Sequence, residues 1–211
     1  MFDFVEYDKS ESLRDRMDDA GCVFEFVVLS LETDSLVGEA THRQALNGLY
    51  DQIMKRAFDW HYDLIKCPEY ADSPEPSLDW ELEKAVATPL SDAEVASLML
   101  TDNYARGPLA LYGHFREPPY GTEFKSGESE AQALFHEWCD VLGLITNDDI
   151  EVINWVKGFQ YKFTSNEEAI PGREPWSDYF DSGLEWWGVW CLTIWNPNHR
   201  TLSALIASTT D

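Results

Sequence analysis

The most distinctive stretch of the sequence, residues 175–200, combines carboxylates with aromatic rings and holds five of the nine tryptophans of the chain. Its candidate contact residues are Trp176, Asp178, Tyr179, Asp181, Glu185 and Trp186. Carboxylates form charge-assisted hydrogen bonds with arginine and lysine, and aromatic rings stack on the same cations. The combination therefore predicts a binding surface for basic side chains of a protein partner.

A second combination of the same residue types lies in the segment 69–83, which contains six acids, two prolines and no base. Trp80 is flanked there by Asp79 and Glu81. A charge run of this kind is typical of a solvated loop. The alternative hypothesis is that Trp80 is an exposed aromatic anchor for a basic partner, with the two acids beside it.

Two other interpretations of the segment 175–200 compete with partner binding. In the first, the segment is structural, because a strand over 186–195 would be apolar on both faces, as in a central strand covered on both sides. In the second, two carboxylates act as general acid and base beside tryptophans that stack a sugar ring, as in a carboxylate-based hydrolase. The chain has 39 acids, so a carboxylate pair near a tryptophan is weak evidence for this reaction.

The spacing of histidines and cysteines gives little support for metal or cofactor chemistry. His136 and Cys139 are one helical turn apart, but a zinc site requires at least one more ligand. None of the four cysteines forms a C-x-x-C pair. The sequence also lacks a nucleophile elbow and a glycine-rich phosphate loop. We therefore predict no metal, no cofactor and no catalytic residue, which favours a binding protein over an enzyme.

The charge balance restricts the class of partner. With 39 acids and 15 bases, the 211-residue chain carries a net charge of −24. This charge repels phosphates, which disfavours direct binding to nucleic acid or to an anionic membrane, and it attracts basic proteins. The predicted function is an acidic protein-binding protein, such as an inhibitor or immunity-type protein that neutralises a basic toxin or nucleic-acid-binding protein. The alternative is an acidic soluble protein whose charge serves only its solubility.

The start of the sequence and its thiols predict a cytoplasmic protein. Acids stand where a signal peptide requires bases, and no apolar run approaches the length of a membrane span. Widely separated cysteines are typical of a protein that keeps its thiols reduced. The length is that of a single globular domain over 1–211. No oligomeric state follows from the sequence.

Residue periodicity predicts helices in the first two thirds of the chain. The expected helices are a polar one over 10–19, a long amphipathic one over 42–66 that opens with a Thr41–Gln44 capping box, one that opens with Ser91 and Glu94, and one over 128–142 closed by Gly143.

Strand signals appear near the start of the chain and dominate its last third. The expected strands cover 22–32, 108–115, 159–164, 186–195 and 201–209, and 148–156 is compatible with a strand or a short helix. The turn residues of 196–200 join the last two strands in a β-hairpin. The predicted fold is therefore α+β, with a mainly antiparallel sheet, a C-terminal β-hairpin and three or so covering helices.

Overall fold

The computed structural model describes residues 3–4, 8–32, 36–101, 109–117, 121 and 124–210. Within these residues a six-stranded antiparallel sheet has the strand order β1-β2-β6-β5-β4-β3. The strands are β1 (Asp3–Phe4), β2 (Glu25–Ser30), β3 (Thr88–Pro89), β4 (Glu151–Asn154), β5 (Val189–Asn196) and β6 (Thr201–Ser208). The predicted α+β class and its C-terminal hairpin, β5–β6, are confirmed.

Five α-helices cover the sheet in the described part of the chain. They are α1 (Asp8–Asp19), α2 (Glu39–Leu64), α3 (Asp92–Leu98), α4 (Leu111–Arg116) and α5 (Glu128–Leu142). The side chains of α2 pack on one face of the sheet, and those of the other four helices pack on the opposite face. Among these helices, none has the length and apolar character that crossing a membrane requires.

The central hairpin separates two hydrophobic cores. On β5, Trp190, Leu192 and Ile194 belong to the core under α1, α3, α4 and α5, whereas Cys191 belongs to the core under α2. The partner strand β6 alternates in the same way between the two faces. The prediction of a central strand over 186–195 is thus confirmed for residues 189–195, whereas residues 186–188 lie before the strand.

Local signals located several elements correctly. The Ser91–Glu94 capping box is present, with the Ser91 N–H donating to Glu94 Oε2 at 2.8 Å. Helix α5 has the predicted bounds and ends at Gly143, which adopts the left-handed conformation at φ 83°. The undecided segment 148–156 contains β4, which pairs with β5.

The predicted start of α2 is wrong by three residues. The helix begins at Glu39 after Gly38, so Thr41 is its third residue and Gln44 has no capping role. Thr41 Oγ1 accepts the N–H of Gly38 at 3.3 Å, which makes Thr41 the distal member of the cap.

Two predicted strands are also wrong. Leu111–Arg116 forms helix α4, because a helix brings Tyr112 and Phe115 onto Phe135, with ring centroids 5.0 and 5.3 Å apart. Pro108, the first residue of that predicted strand, lies outside the described residues. The segment 159–164 is irregular, since the chain turns at Gly158 with φ 89°.

A buried polar contact connects α2 to the central strand. The Thr193 hydroxyl oxygen accepts the indole N–H of Trp155 at 2.8 Å and lies 2.8 Å from His42 Nδ1. Both His42 and Thr193 are fully buried. His42 Nε2 is buried without a hydrogen-bond partner among the described residues, so a charged imidazole would be poorly solvated here. Burial accordingly lowers the pKa of His42 from 6.5 to about 4.

This buried histidine makes stability depend on pH. The unfolded chain protonates His42 near pH 6.5, whereas the folded chain does so only at about 4. We therefore expect the free energy of unfolding to be highest above pH 6.5 and to fall by about 3 kcal/mol as the pH decreases towards 4. Urea denaturation at a series of pH values measures this change. His42→Gln should remove it and His136→Gln, at an exposed histidine, should retain it; identical profiles for wild type and His42→Gln would contradict it.

Candidate functional site

The two acidic segments that the sequence analysis singled out lie side by side on the α2 side of the sheet. The Glu81 N–H donates to the carbonyl of Trp176 at 2.9 Å, and the Asp79 N–H donates to Asp178 Oδ1 at 3.0 Å. The Ser177 hydroxyl donates to the Asp79 carbonyl at 2.6 Å. The residues that we predicted as two clusters therefore form one.

Three of the predicted aromatic contacts hold this cluster together from inside. Trp176 is 1 % exposed, and its indole N–H donates to the carbonyl of Trp155 at 2.9 Å. Trp80 is half-buried, with its ring centroid 4.7 Å from that of Trp176 and 5.4 Å from that of Tyr50. Tyr179 is also half-buried, and burial raises the pKa of its hydroxyl. The structure thus corrects the hypothesis that Trp80 is an exposed anchor, because both Trp80 and Trp176 pack internally.

The carboxylates of the cluster point outward. Asp178 and Asp181 flank the buried ring of Phe180 in a short 3-10 turn, and both are exposed. Neither carboxylate forms an ion pair with another residue that the structure describes. The nearby Lys162 ammonium donates to the backbone carbonyl of Asp181, at 2.9 Å. Glu81 is exposed and pairs with Lys84 at 2.6 Å.

A closed loop, Gly183–Gly188, carries the other two predicted residues, Glu185 and Trp186. We call it the glycine-closed loop, because the Gly188 N–H donates to the Gly183 carbonyl at 3.0 Å. Leu184 is buried in the core under α2, whereas Trp187 packs against the core on the opposite face. The loop therefore crosses the end of the sheet with one anchor in each core, and Glu185 and Trp186 lie between the anchors.

Hydrogen bonds orient these two residues. Trp186 is 57 % exposed, and its indole N–H donates to Thr210 Oγ1 at 3.2 Å. The Thr210 hydroxyl donates to Glu185 Oε2 at 2.8 Å. An exposed indole and a carboxylate are thus held next to each other before any partner binds, which reduces the conformational entropy that binding would cost.

The surface around the cluster is rich in carboxylates without a cation. We define the acidic face as residues 51–84 and 174–188, all of which the structure describes. Its four bases, Lys55, Arg56, Lys66 and Lys84, each pair with an acid. The acids of this face that form no ion pair with any described residue are Asp51, Glu69, Asp72, Glu75, Asp79, Glu83, Glu174, Asp178, Asp181 and Glu185. The acidic face therefore has uncompensated negative charge available to a cationic partner.

Sequence reasoning missed three exposed rings of this face, Trp60, Tyr62 and Tyr70. The apolar spacing of the helix continues through Trp60, and this spacing alone predicts a buried ring there. The length of the helix could have indicated the exposure of Trp60. A helix of 26 residues extends about 39 Å, which is longer than the longest strands, of eight residues, so its end extends beyond the strands.

The structure gives no support to the paired metal ligands considered above. His136 is exposed on α5, whereas Cys139 is buried. Burial raises the pKa of the Cys139 thiol, which opposes formation of the thiolate that a metal requires. Within the described residues, no three His, Cys, Asp or Glu side chains are grouped so that they could hold a metal ion.

Comparison with protein-family models finds no match to the chain, and comparison with curated proteins finds no related sequence.

The glycine-closed loop requires glycine at position 183, because a Cβ atom does not fit there. A Cβ atom at this position would lie 2.0 Å from the carbonyl oxygen of Gly188. We therefore expect Gly183→Ala to open the loop and to lower the free energy of unfolding by about 1–3 kcal/mol. Urea denaturation measures the loss, and fluorescence quenching reports the increased exposure of the loop tryptophans. Ser182→Ala, at the exposed neighbouring residue, is the matched control, and equal stability of the two variants would refute the expectation.

Proposed function

We propose that this protein binds a basic protein partner through its acidic face and acts without catalysing a reaction. The observation that supports this proposal most directly is the glycine-closed loop, which holds Glu185 and Trp186 at the surface between buried Leu184 and partly buried Trp187. Aromatic side chains in rigid positions are frequent energetic centres of protein interfaces. A carboxylate beside the ring adds selectivity for a cationic group.

The charge of the acidic face supports the same proposal. Asp178 and Asp181 are exposed, and neither carboxylate pairs with a cation among the residues that the structure describes, so both carboxylates can pair with an external cation. Charges of one sign steer an oppositely charged partner and increase its rate of association. They contribute less at high salt, because the Debye length falls to about 3 Å at 1 M.

The proposal extends to the class of partner. A basic nuclease toxin, or another protein that binds nucleic acid, presents a cationic surface suited to phosphates, and exposed carboxylates can occupy such a surface in place of the phosphates. The finer proposal is therefore an inhibitor or immunity-type protein acting in the cytoplasm on such a partner. A protein that mimics nucleic acid, with carboxylates spaced like phosphates, is a special case of the same function.

A comparison of two triple variants tests the use of the acidic face. We expect Asp178→Asn with Asp181→Asn and Glu185→Gln to lower the association rate with a labelled arginine-rich peptide about tenfold at low salt, and to flatten the salt dependence of this rate. Stopped-flow fluorescence anisotropy measures the rate, and circular dichroism verifies that the fold is intact.

The matched control removes the same amount of charge from the opposite layer. Glu11→Gln with Asp15→Asn and Asp140→Asn changes exposed acids of α1 and α5. This control should retain most of the association rate. Equal losses in the two triple variants would show that only the total charge matters, and the function proposed for this face would be rejected.

A further inference from the structure

Helix α2 continues beyond the end of the sheet. Gln52 donates to the backbone carbonyl of Phe26 at 3.1 Å, and Arg56 pairs with Glu25 at 2.7 Å. Glu25 is the first residue of β2, so the helix passes the end of that strand after Arg56. We call the remaining residues of the helix, 57–64, the α2 tail.

Trp60 follows the helical spacing of the buried residues of α2, but its ring is not packed into a core. The helix face that contacts the sheet carries the buried residues His42, Leu46 and Leu49, and helical spacing continues this face through Ile53 to Trp60. Trp60 is nevertheless 66 % exposed, whereas the next residue, His61, is 5 % exposed, so the protein covers another side of this turn and leaves the indole uncovered. A large ring left uncovered at such a position indicates an interface with another molecule.

The α2 tail and the glycine-closed loop lie at the same end of the sheet. Glu25 pairs with Ile206 of β6, two residues before Ser208. The hydroxyl of Ser208 accepts the N–H of Gly183, the first residue of the loop, at 2.9 Å. A partner that contacts Trp186 therefore approaches the end of the molecule from which the α2 tail projects.

A carboxylate suited to a cation stands beside Trp60. Asp63 is three residues further along the helix, which places it on a neighbouring part of the same surface. Asp63 pairs with Lys66 at 2.5 Å, and both side chains are largely exposed. An exposed pair of this kind contributes little to stability. A cation from a partner can therefore replace Lys66 at low cost.

Within the protein, one arginine already contacts an indole ring and a carboxylate at the same time, as a partner's arginine would at Trp60 and Asp63. The guanidinium of Arg43 lies 5.0 Å from the ring centroid of Trp155 and also pairs with Glu39 at 2.7 Å. A planar guanidinium can stack on an indole while its N–H groups bind a carboxylate, a geometry that a compact ammonium group cannot reproduce.

We propose that Trp60 and Asp63 form a binding site for an arginine side chain of the basic partner. This inference rests on the proposed function and specifies it further. It assigns the α2 tail to the interface and selects arginine over lysine as the group recognised there. The negative charge of the acidic face attracts the partner, and the indole with its carboxylate discriminates between the two cations.

Two fluorescent peptides of equal length and charge test the site, one with alternating arginine and serine and the other with alternating lysine and serine. We expect wild-type protein to bind the arginine peptide about fivefold more tightly than the lysine peptide at physiological salt. Trp60→Ala should reduce this ratio to about one, and Asp63→Asn should weaken the arginine peptide more than the lysine peptide. Leu36→Ala is the matched control, since Leu36 is 94 % exposed and lies just before the opposite end of α2.

The outcomes separate the two proposals. Equal affinities of both peptides for wild type, unchanged by Trp60→Ala, would overturn the arginine site and leave the proposed function standing. Failure of both peptides to bind at low salt would overturn both. Sedimentation velocity adds a third comparison, because a dimer that Trp60→Ala dissociates would assign the ring to a second copy of the chain and overturn the arginine site.

Discussion

Burial of the β5–β6 hairpin on both faces is the constraint on which the rest of the structure depends. Nearly every residue of the two strands is buried, so apolar side chains must be covered above and below the sheet. Full burial of one large aliphatic side chain contributes about 1.5–3 kcal/mol. Four helices cover one face, and α2 together with the segments around Trp80 and Trp176 covers the other. The acidic face is thus the outer side of a layer that the hairpin requires.

The same constraint determines where charge is located. Residues 186–210 contain one base, Arg200, and no acid, because a strand buried on both faces leaves no place for a solvated charge. The acids consequently concentrate in the covering layers. On the α2 side of the sheet many of them are carried by irregular segments, which three aromatic residues, Trp80, Trp176 and Tyr179, attach to the core.

Sequence reasoning succeeded where the determinants are local. The Ser91–Glu94 cap, the end of α5 at Gly143 and the apolar hairpin are all encoded within a few residues. It failed for α4, whose six residues become helical through contacts with Phe135. For the candidate site, the acids were recognisable but the exposure of the rings was not. Trp80 is covered by Tyr50 and Trp176, whereas Trp60, at a position with core-type spacing, is exposed.

Carboxylates without a paired cation lower the stability of the free protein by repelling one another. The same charges raise its affinity for a basic partner by attracting that partner. The net charge of −24 opposes folding through self-repulsion, although single acids are held in place, as Asp178 is by the N–H of Asp79. A cationic partner reduces this repulsion when it binds. Part of the favourable free energy of association is therefore the loss of electrostatic repulsion that is present in the free protein. A partner that binds only the folded chain must in turn stabilise it, by an amount that grows with the partner's concentration relative to its Kd. Under the proposed function, the charge that makes the acidic face costly in isolation is therefore the source of both its affinity and its selectivity for a basic protein.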